Sequence, residues 1–295
     1  MPRRATLSRP LSQPEGPVIL SDGTLALVEM GEDRESVTLI GTDGEPRMLA
    51  RPGGRPTGLA LDGDDCLWVA GGSGNSLVRL APDGRILCTV RGDDDGAFLF
   101  PNDLAFGPDG FLYMTDSGMR PRELISGLSI RPDFRTAFYA GTVFRIDPVH
   151  GRVVERIATD LLFANGIAFD ADGILHYNET LTGHIYRKEP GRSAERYANV
   201  LRDVEIDRFR GPDGMAFGMD GHLYCAVYGQ KEVAVIAPSG DLRQLIETHG
   251  DRPTNVVFAL TGTTLLVTEV QHGAVEEFAV GTTGLPLHRP TIGGC

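Results

Sequence analysis

Six times along the 295 residues a short loop carrying a small polar or acidic residue leads into an apolar run. The loops are Pro14-Glu15-Gly16-Pro17, Pro56-Thr57-Gly58, Pro101-Asn102-Asp103, Ala164-Asn165-Gly166, Pro212-Asp213-Gly214 and Pro253-Thr254-Asn255. Aligned on the loop, one position holds Glu15, Thr57, Asn102, Asn165, Asp213 and Thr254, at separations of 42, 45, 63, 48 and 41 residues. A unit of short strands recurring about every 40–45 residues predicts a β-propeller with one blade per unit. Six units predict an all-β, six-bladed propeller. Equivalent positions then surround one axis, and the aligned residues become a ring of oxygen-bearing side chains, two of them carboxylates.

A second series tests the alignment. Each apolar run ends in a turn dipeptide: Asp22-Gly23, Asp62-Gly63, Asp109-Gly110, Asp172-Gly173, Asp220-Gly221 and Thr261-Gly262. Five of the six start 7 residues after the ring position and the second starts 5 after. Asp-Gly between apolar runs signals a hairpin, because glycine accepts the positive φ of a tight turn. The turns therefore fall at the end of each inner strand remote from the ring. Second strands are expected from Leu25, Leu67, Leu112, Leu175, Leu223 and Leu265, and third strands at Ser36–Ile40, Ser76–Leu80, Thr142–Ile146, His184–Arg187, Val233–Ile236 and Ala274–Phe278.

The third unit is irregular. An insertion over 118–141 carries Met119, Leu124, Ile125, Leu128, Ile130, Phe134, Phe138 and Tyr139. The second strand of a blade runs back toward the ring, so this insertion is expected over the channel mouth, as an apolar lid or as the cover of a blade edge. The whole chain, 1–295, reads as one propeller domain, with 1–12 as a flexible N-terminal arm.

Composition narrows the function classes. The net charge of −12 disfavours a polyanionic partner such as nucleic acid, and the basic residues are scattered. No run has the roughly 18 apolar residues of a membrane span, and the N-terminus lacks an apolar signal core. The expected setting is cytoplasmic, with neither membrane nor nucleic acid as partner. Cys66, Cys88, Cys225 and Cys295 form no Cys-x-x-Cys pair, which argues against zinc spacing and a disulfide framework. None of the 7 histidines stands in a readable triad, and no glycine-rich loop precedes a helix.

The ring carries the chemistry. Glu15 and Asp213 supply charge, and Asn102 and Asn165 supply amide oxygens. An all-oxygen set suits one hard divalent cation, with Ca²⁺ favoured and Mg²⁺, Mn²⁺ or Zn²⁺ as alternatives. Such an ion polarises a carbonyl and lowers the pKa of water, and hydrolysis of a lactone or ester is its natural use. Two other readings share the fold. One is a non-enzymatic propeller with a structural metal and a protein partner; the other is phosphotriesterase-type or related metal-assisted chemistry.

Glu15-Gly16-Pro17, Asn165-Gly166, Pro212-Asp213-Gly214-Met215, the run from Phe100 to Gly110 and the run from Leu112 to Gly118 resemble the motifs of the SMP-30/gluconolactonase/LRE family. The resemblance spans roughly residues 10–280 and implies a six-bladed propeller with one divalent metal in its channel. It implies Glu15, Asn165 and Asp213 as direct ligands and Asn102 as a further ligand and substrate contact. It also implies Asp213 as the general base, or as the group that orients the attacking water. Asp103, directly after a proposed ligand, is a candidate substrate contact, a carboxylate behind the ligands or a base. One departure stands out. Sugar-lactonase members often carry a basic residue two positions before the asparagine that matches Asn102, and here that residue is Phe100. An apolar wall at Phe100 points to a less polar lactone or ester, or to a sugar lactone held by other groups.

Overall fold

The Asp-Gly turns set the period of the fold. In the computed structural model, which describes residues 3–4, 9–202 and 208–293, the Gly23 N–H donates to the Leu20 carbonyl at 2.9 Å and Gly23 sits at φ 89°. Each such turn reverses an inner strand into the second strand of its blade. Among the described residues the chain forms six four-stranded antiparallel sheets, arranged as a six-bladed propeller. Blades 1 to 5 run over 14–50, 59–90, 101–161, 164–199 and 211–247. Blade 6 is built from Pro253–Phe258, Thr264–Glu269, Ala274–Ala279 and, as its outermost strand, Arg3–Arg4. Of the arm expected over 1–12, residues 1–2 and 5–8 lie outside the described residues, as does Cys295. Arg3 and Arg4 stand opposite Glu277 and Glu276, so the N-terminal strand closes the circle.

The core is divided. Six apolar clusters lie one between each pair of neighbouring blades, and a seventh lies under the insertion. Strand alternation produces this pattern, since successive side chains face opposite blades. Between blades 2 and 3, Trp68 is fully buried and meets Phe106 edge-on at 6.4 Å. Among the described residues helix is confined to one turn, Pro121–Leu124, and no helix is long and apolar enough to cross a membrane.

The C-terminal segment spans the end of the channel remote from the ring. Gly284 bridges Gly218 of blade 5, and His288 contacts Phe169 of blade 4. Arg289 donates to the Ile19 carbonyl of blade 1 at 2.9 Å. The segment is anchored at blade 2, where Asp64 Oδ2 accepts the Ile292 and Gly293 N–H groups at 3.0 and 2.9 Å. Arg79 Nη1 donates to the Gly293 carbonyl at 2.5 Å.

Candidate metal and active site

The ring side chains reach the channel through a repeated break in strand pairing. In five of the six blades the ladder between inner and second strand shifts register at the ring residue, between Glu15 and Val18, Pro101 and Leu104, Ala164 and Ile167, Pro212 and Met215, and Pro253 and Asn255. A bulge of this kind re-aims a side chain out of the pleat. In four blades the preceding loop is pinned by a carboxylate at the end of the second strand. Glu29 accepts the Ser12 N–H at 2.8 Å, and Asp116 accepts those of Leu99 and Phe100 at 2.8 and 2.9 Å. Glu179 accepts that of Leu162 at 2.6 Å, and Glu269 that of Arg252 at 3.3 Å.

Glu29 gives this pinning a pH signature. Burial alone would raise its carboxyl, but hydrogen bonds from Arg9, Ser12 and Thr38 outweigh it, and the net direction is down. A depressed folded value contributes stability above the unfolded value near 4.5, lost as pH falls through the folded one. Glu29→Gln is therefore expected to lower stability by about 2 kcal/mol at pH 7. In thermal melts from pH 7 to pH 3, the gap to wild type should close below about 4.5.

All six ring residues line one cavity of about 80 Å³. Glu15, Asn102, Asn165 and Asp213 are each at least nine-tenths buried. Asn102 donates its amide to Ser117 Oγ at 2.8 Å and Asn165 donates to Thr180 Oγ1 at 3.1 Å, so both amide oxygens are left free of these contacts. Thr57 and Thr254 differ: their hydroxyls donate to the Pro101 and Pro14 carbonyls of the next blade, at 2.8 and 2.9 Å. They tie blades together. Among the described residues Glu15 Oε2 and Asn165 Oδ1 are buried acceptors without a hydrogen-bond partner. Burial, then the neighbouring Asp103 and Asp213 charges, push the Glu15 carboxyl well up. Burial and Asp103 do the same to Asp213.

Orphaned acceptors and crowded carboxylates are what a bound cation would relieve. The residues present therefore fit a hard divalent ion, which Glu15, Asp213, Asn102 and Asn165 would hold. Among the described residues no three His, Cys, Asp or Glu side chains converge as a metal cluster. The ring instead combines two carboxylates with two amides, and no histidine lines its cavity.

A further layer lies below the ring. Asp103 and Asn255 each follow a ring residue, where the other four blades carry Gly16, Gly58, Gly166 and Gly214. The glycines permit close approach of the inner strands: a Cβ on Gly214 would come within 1.9 Å of Asn255 Cγ, and one on Gly166 within 2.1 Å of the Asp213 carbonyl oxygen. Asn255 Nδ2 donates to Glu15 Oε1 at 3.0 Å, and its Oδ1 accepts the Val256 N–H at 2.7 Å. The sequence reading missed Asn255; the exchange of glycine for a polar residue after the ring position is the signal that marks it. Asp103, expected beside the substrate, lines the chamber on the opposite side of the ring instead. Its carboxylate accepts the Leu104 and Ile167 N–H groups at 2.9 and 3.3 Å. Burial pushes it up to about 7.

Above the ring, the loops that enter the inner strands place the residues two positions earlier in a second tier. Gln13, Arg55, Phe100 and Phe163 occupy this tier and line the cavity with Phe209 and Tyr228. Gln13 and Phe163 hold positive φ angles of 53° and 66°, conformations that cost energy in non-glycine residues. The insertion completes the wall with Ile125, Gly127, Leu128 and Ile130. Phe100 packs edge-on against Phe163 at 6.0 Å, in the cluster of Met119, Leu124, Phe134 and Tyr139 beneath the insertion. Phe100→Ala is thus expected to cost about 3 kcal/mol and to loosen this cover. Chemical denaturation and proteolysis within 118–141 would register the two effects; unchanged proteolysis would detach Phe100 from the insertion.

Known proteins share this architecture. A gluconolactonase of Zymomonas mobilis is 28% identical over 223 residues, which cover 71% of this chain and 59% of that protein. A 6-deoxy-6-sulfogluconolactonase of Pseudomonas putida is 37% identical over 122 residues, 40% of each chain. The matched stretches thus span about three fifths and two fifths of these relatives. The solved structure of a calcium-binding protein, regucalcin, from Agrobacterium tumefaciens superposes with a TM-score of 0.74 at 20% identity, covering 96% of this chain and 95% of that one, a likeness of fold. The sequence model of the SMP-30/gluconolactonase/LRE-like region matches residues 87–271, more than half of the chain, and the chain belongs to that family.

Proposed function

We propose that the ring cavity is the active site of a divalent-cation-dependent lactonase. The observation that carries this reading is the convergence of Glu15, Asn102, Asn165 and Asp213 on one cavity, with Glu15 Oε2 and Asn165 Oδ1 left as buried, partnerless acceptors. Membership of the family and the gluconolactonase and sulfogluconolactonase names of the relatives support it. The calcium-binding regucalcin of the same fold makes Ca²⁺ the first ion to test.

A divalent cation bound there would supply a Lewis acid for the carbonyl oxygen and a lowered pKa for a water. The chain's own residues do the rest. Glu15 and Asn165 hold their oxygens toward the axis, each fixed from behind, Glu15 by Asn255 and Asn165 by Thr180. Asn102, anchored by Ser117, presents its amide oxygen to the ion or the substrate. Asp213 takes the proton of the attacking water or orients that water for attack. Phe100 and Phe163, with the insertion as lid, exclude bulk water from the reacting atoms. Asp103 stands behind the ring, where its charge acts on Glu15 and Asp213.

The test is a lactone panel on metal-stripped protein, with Ca²⁺, Mg²⁺, Mn²⁺ and Zn²⁺ restored one at a time. Hydrolysis that returns with the metal establishes the reaction class. Tight metal binding with no hydrolysis moves the reading to a structural ion in a binding propeller.

A further inference from the structure

The tier above the ring is two-sided. Toward blades 3 to 5 it is aromatic, with Phe100, Phe163 and Phe209; toward blades 1 and 2 it is polar, with Gln13 and Arg55. Arg55 stands two residues before the ring residue of blade 2, the place that Phe100 holds in blade 3. Its Nη2 donates to Gln13 Oε1 at 2.8 Å and its Nη1 to the Met30 carbonyl at 3.3 Å. Both partners are neutral. Among the described residues no carboxylate lies in salt-bridge contact with Arg55, and its buried Nε has no partner. Glu32, Glu15 and Glu35 act on it only at longer range.

The guanidinium also lies on the route inward. A vestibule of about 430 Å³ shares Gln13, Met30, Arg55, Ile125 and Gly127 with the ring cavity. Arg55 keeps some accessible surface, yet desolvation lowers its pKa, so that surface faces a confined space. A charge set into protein without a counter-charge is costly, and the cost is removed by a ligand that brings one. Glu15 and Asp213 would balance a divalent ion in the ring and leave Arg55 with only Glu32 and Glu35, carboxylates that line the vestibule without a salt bridge to it. A planar guanidinium fork matches an oxyanion with two oxygens.

We propose that Arg55 is a specificity-determining residue, and that the site takes a lactone bearing an anionic group, which Arg55 and Gln13 hold at the boundary of vestibule and ring cavity. The anionic end lies toward blades 1 and 2, the apolar face of the lactone ring lies against Phe100 and Phe163, and the carbonyl is directed to the ring. The proposal rests on the lactonase reading for its reaction, but the anion subsite stands on Arg55 itself.

The test compares wild type, Arg55→Met and Arg55→Lys on D-glucaro-1,4-lactone, which carries a free carboxylate, and on neutral glucono-δ-lactone. Wild type should favour the anionic lactone. In Arg55→Met the ratio of kcat/KM for the anionic over the neutral lactone should fall by about tenfold or more, with Arg55→Lys intermediate. A second readout is calorimetric binding of D-glucaro-1,4-lactone to metal-stripped protein, expected to be about tenfold weaker in Arg55→Met. An unchanged ratio together with equal affinity, or no binding to wild type, overturns the proposal while leaving the lactonase reading intact. Arg55-dependent binding with no turnover of any lactone overturns the lactonase reading and leaves the anion subsite. Melting temperatures of the three proteins, matched within a few degrees, separate these outcomes from misfolding.

Discussion

Asp213→Ala is expected to abolish divalent-cation binding and lactone hydrolysis together while leaving the propeller folded. The two losses have one origin. Asp213 is one of only two carboxylates in the ring, and in the proposed mechanism it also takes the proton from water or orients that water for attack. Hydrolysis should drop by about a thousandfold or more, as for loss of several kcal/mol of transition-state stabilisation. The effect on the fold has the opposite sign from an ordinary buried deletion. Without metal, Glu15 and Asp213 are both pushed up by burial and by neighbouring negative charge. Removing one carboxylate relieves that crowding, so stripped Asp213→Ala should melt no lower than stripped wild type. Added Ca²⁺ at about 100 times Kd should stabilise wild type by about 2.7 kcal/mol and the variant by nothing. Melting curves with and without Ca²⁺, read beside activity, check each part. Full activity in the variant would remove Asp213 from the mechanism.

The largest loss of stability is expected far from the ring, at Arg79. Its side chain is 1% exposed and pairs with Asp62, 0% exposed, at 2.9 Å. It also reaches Asp64 at 3.1 Å, and its guanidinium carbon lies 5.9 Å from the Trp68 ring centroid. Arg79→Met keeps much of the packing volume but leaves Asp62 buried without its cation. Breaking one side of a buried pair costs about 3–5 kcal/mol. For a chain of this size that lowers Tm by on the order of 10 °C. The same substitution removes the donor to Gly293, so cleavage of the C-terminal segment should accelerate alongside. Asp62 Oδ1 accepts the Asp64 and Cys66 N–H groups, so Asp62→Asn keeps an acceptor for the turn while removing the charge. The double variant should therefore recover part of the loss. A double variant as unstable as the sum of the two singles would show that charge pairing is not the origin.

The repeat made much of the propeller legible. Loop, apolar run and Asp-Gly turn recur with a nearly fixed offset, and third strands expected at Ser36–Ile40 and Ser76–Leu80 occur with those bounds. The ring position was legible for the same reason, since symmetry carries aligned residues to one axis whatever their chemistry. What escaped depends on tertiary context. Arg55 and Gln13 lie in loops two residues before ring positions, and nothing local distinguishes them from other loop residues. Asn255 becomes meaningful only once Glu15, 240 residues away, is brought within hydrogen-bond reach. The hairpin of Ile125–Ser126 with Ser129–Ile130 and the path of residues 283–293 across the far end follow from packing between blades, which has no period to read.

The closing strand has a mechanical consequence. Arg3–Arg4 belongs to blade 6 by pairing, while the chain that follows it builds blade 1, so a clasp two residues long reinforces a seam already joined by an apolar cluster and by the Thr254 and Asn255 hydrogen bonds. Each of the other blades takes its four strands from one continuous stretch of chain. Tension applied at the N-terminus meets this clasp first, and its two residue pairs peel in succession. Trimming the first few residues would therefore leave the seam held by its inner strands alone, with a free edge on blade 6 ready to accept a strand from another molecule.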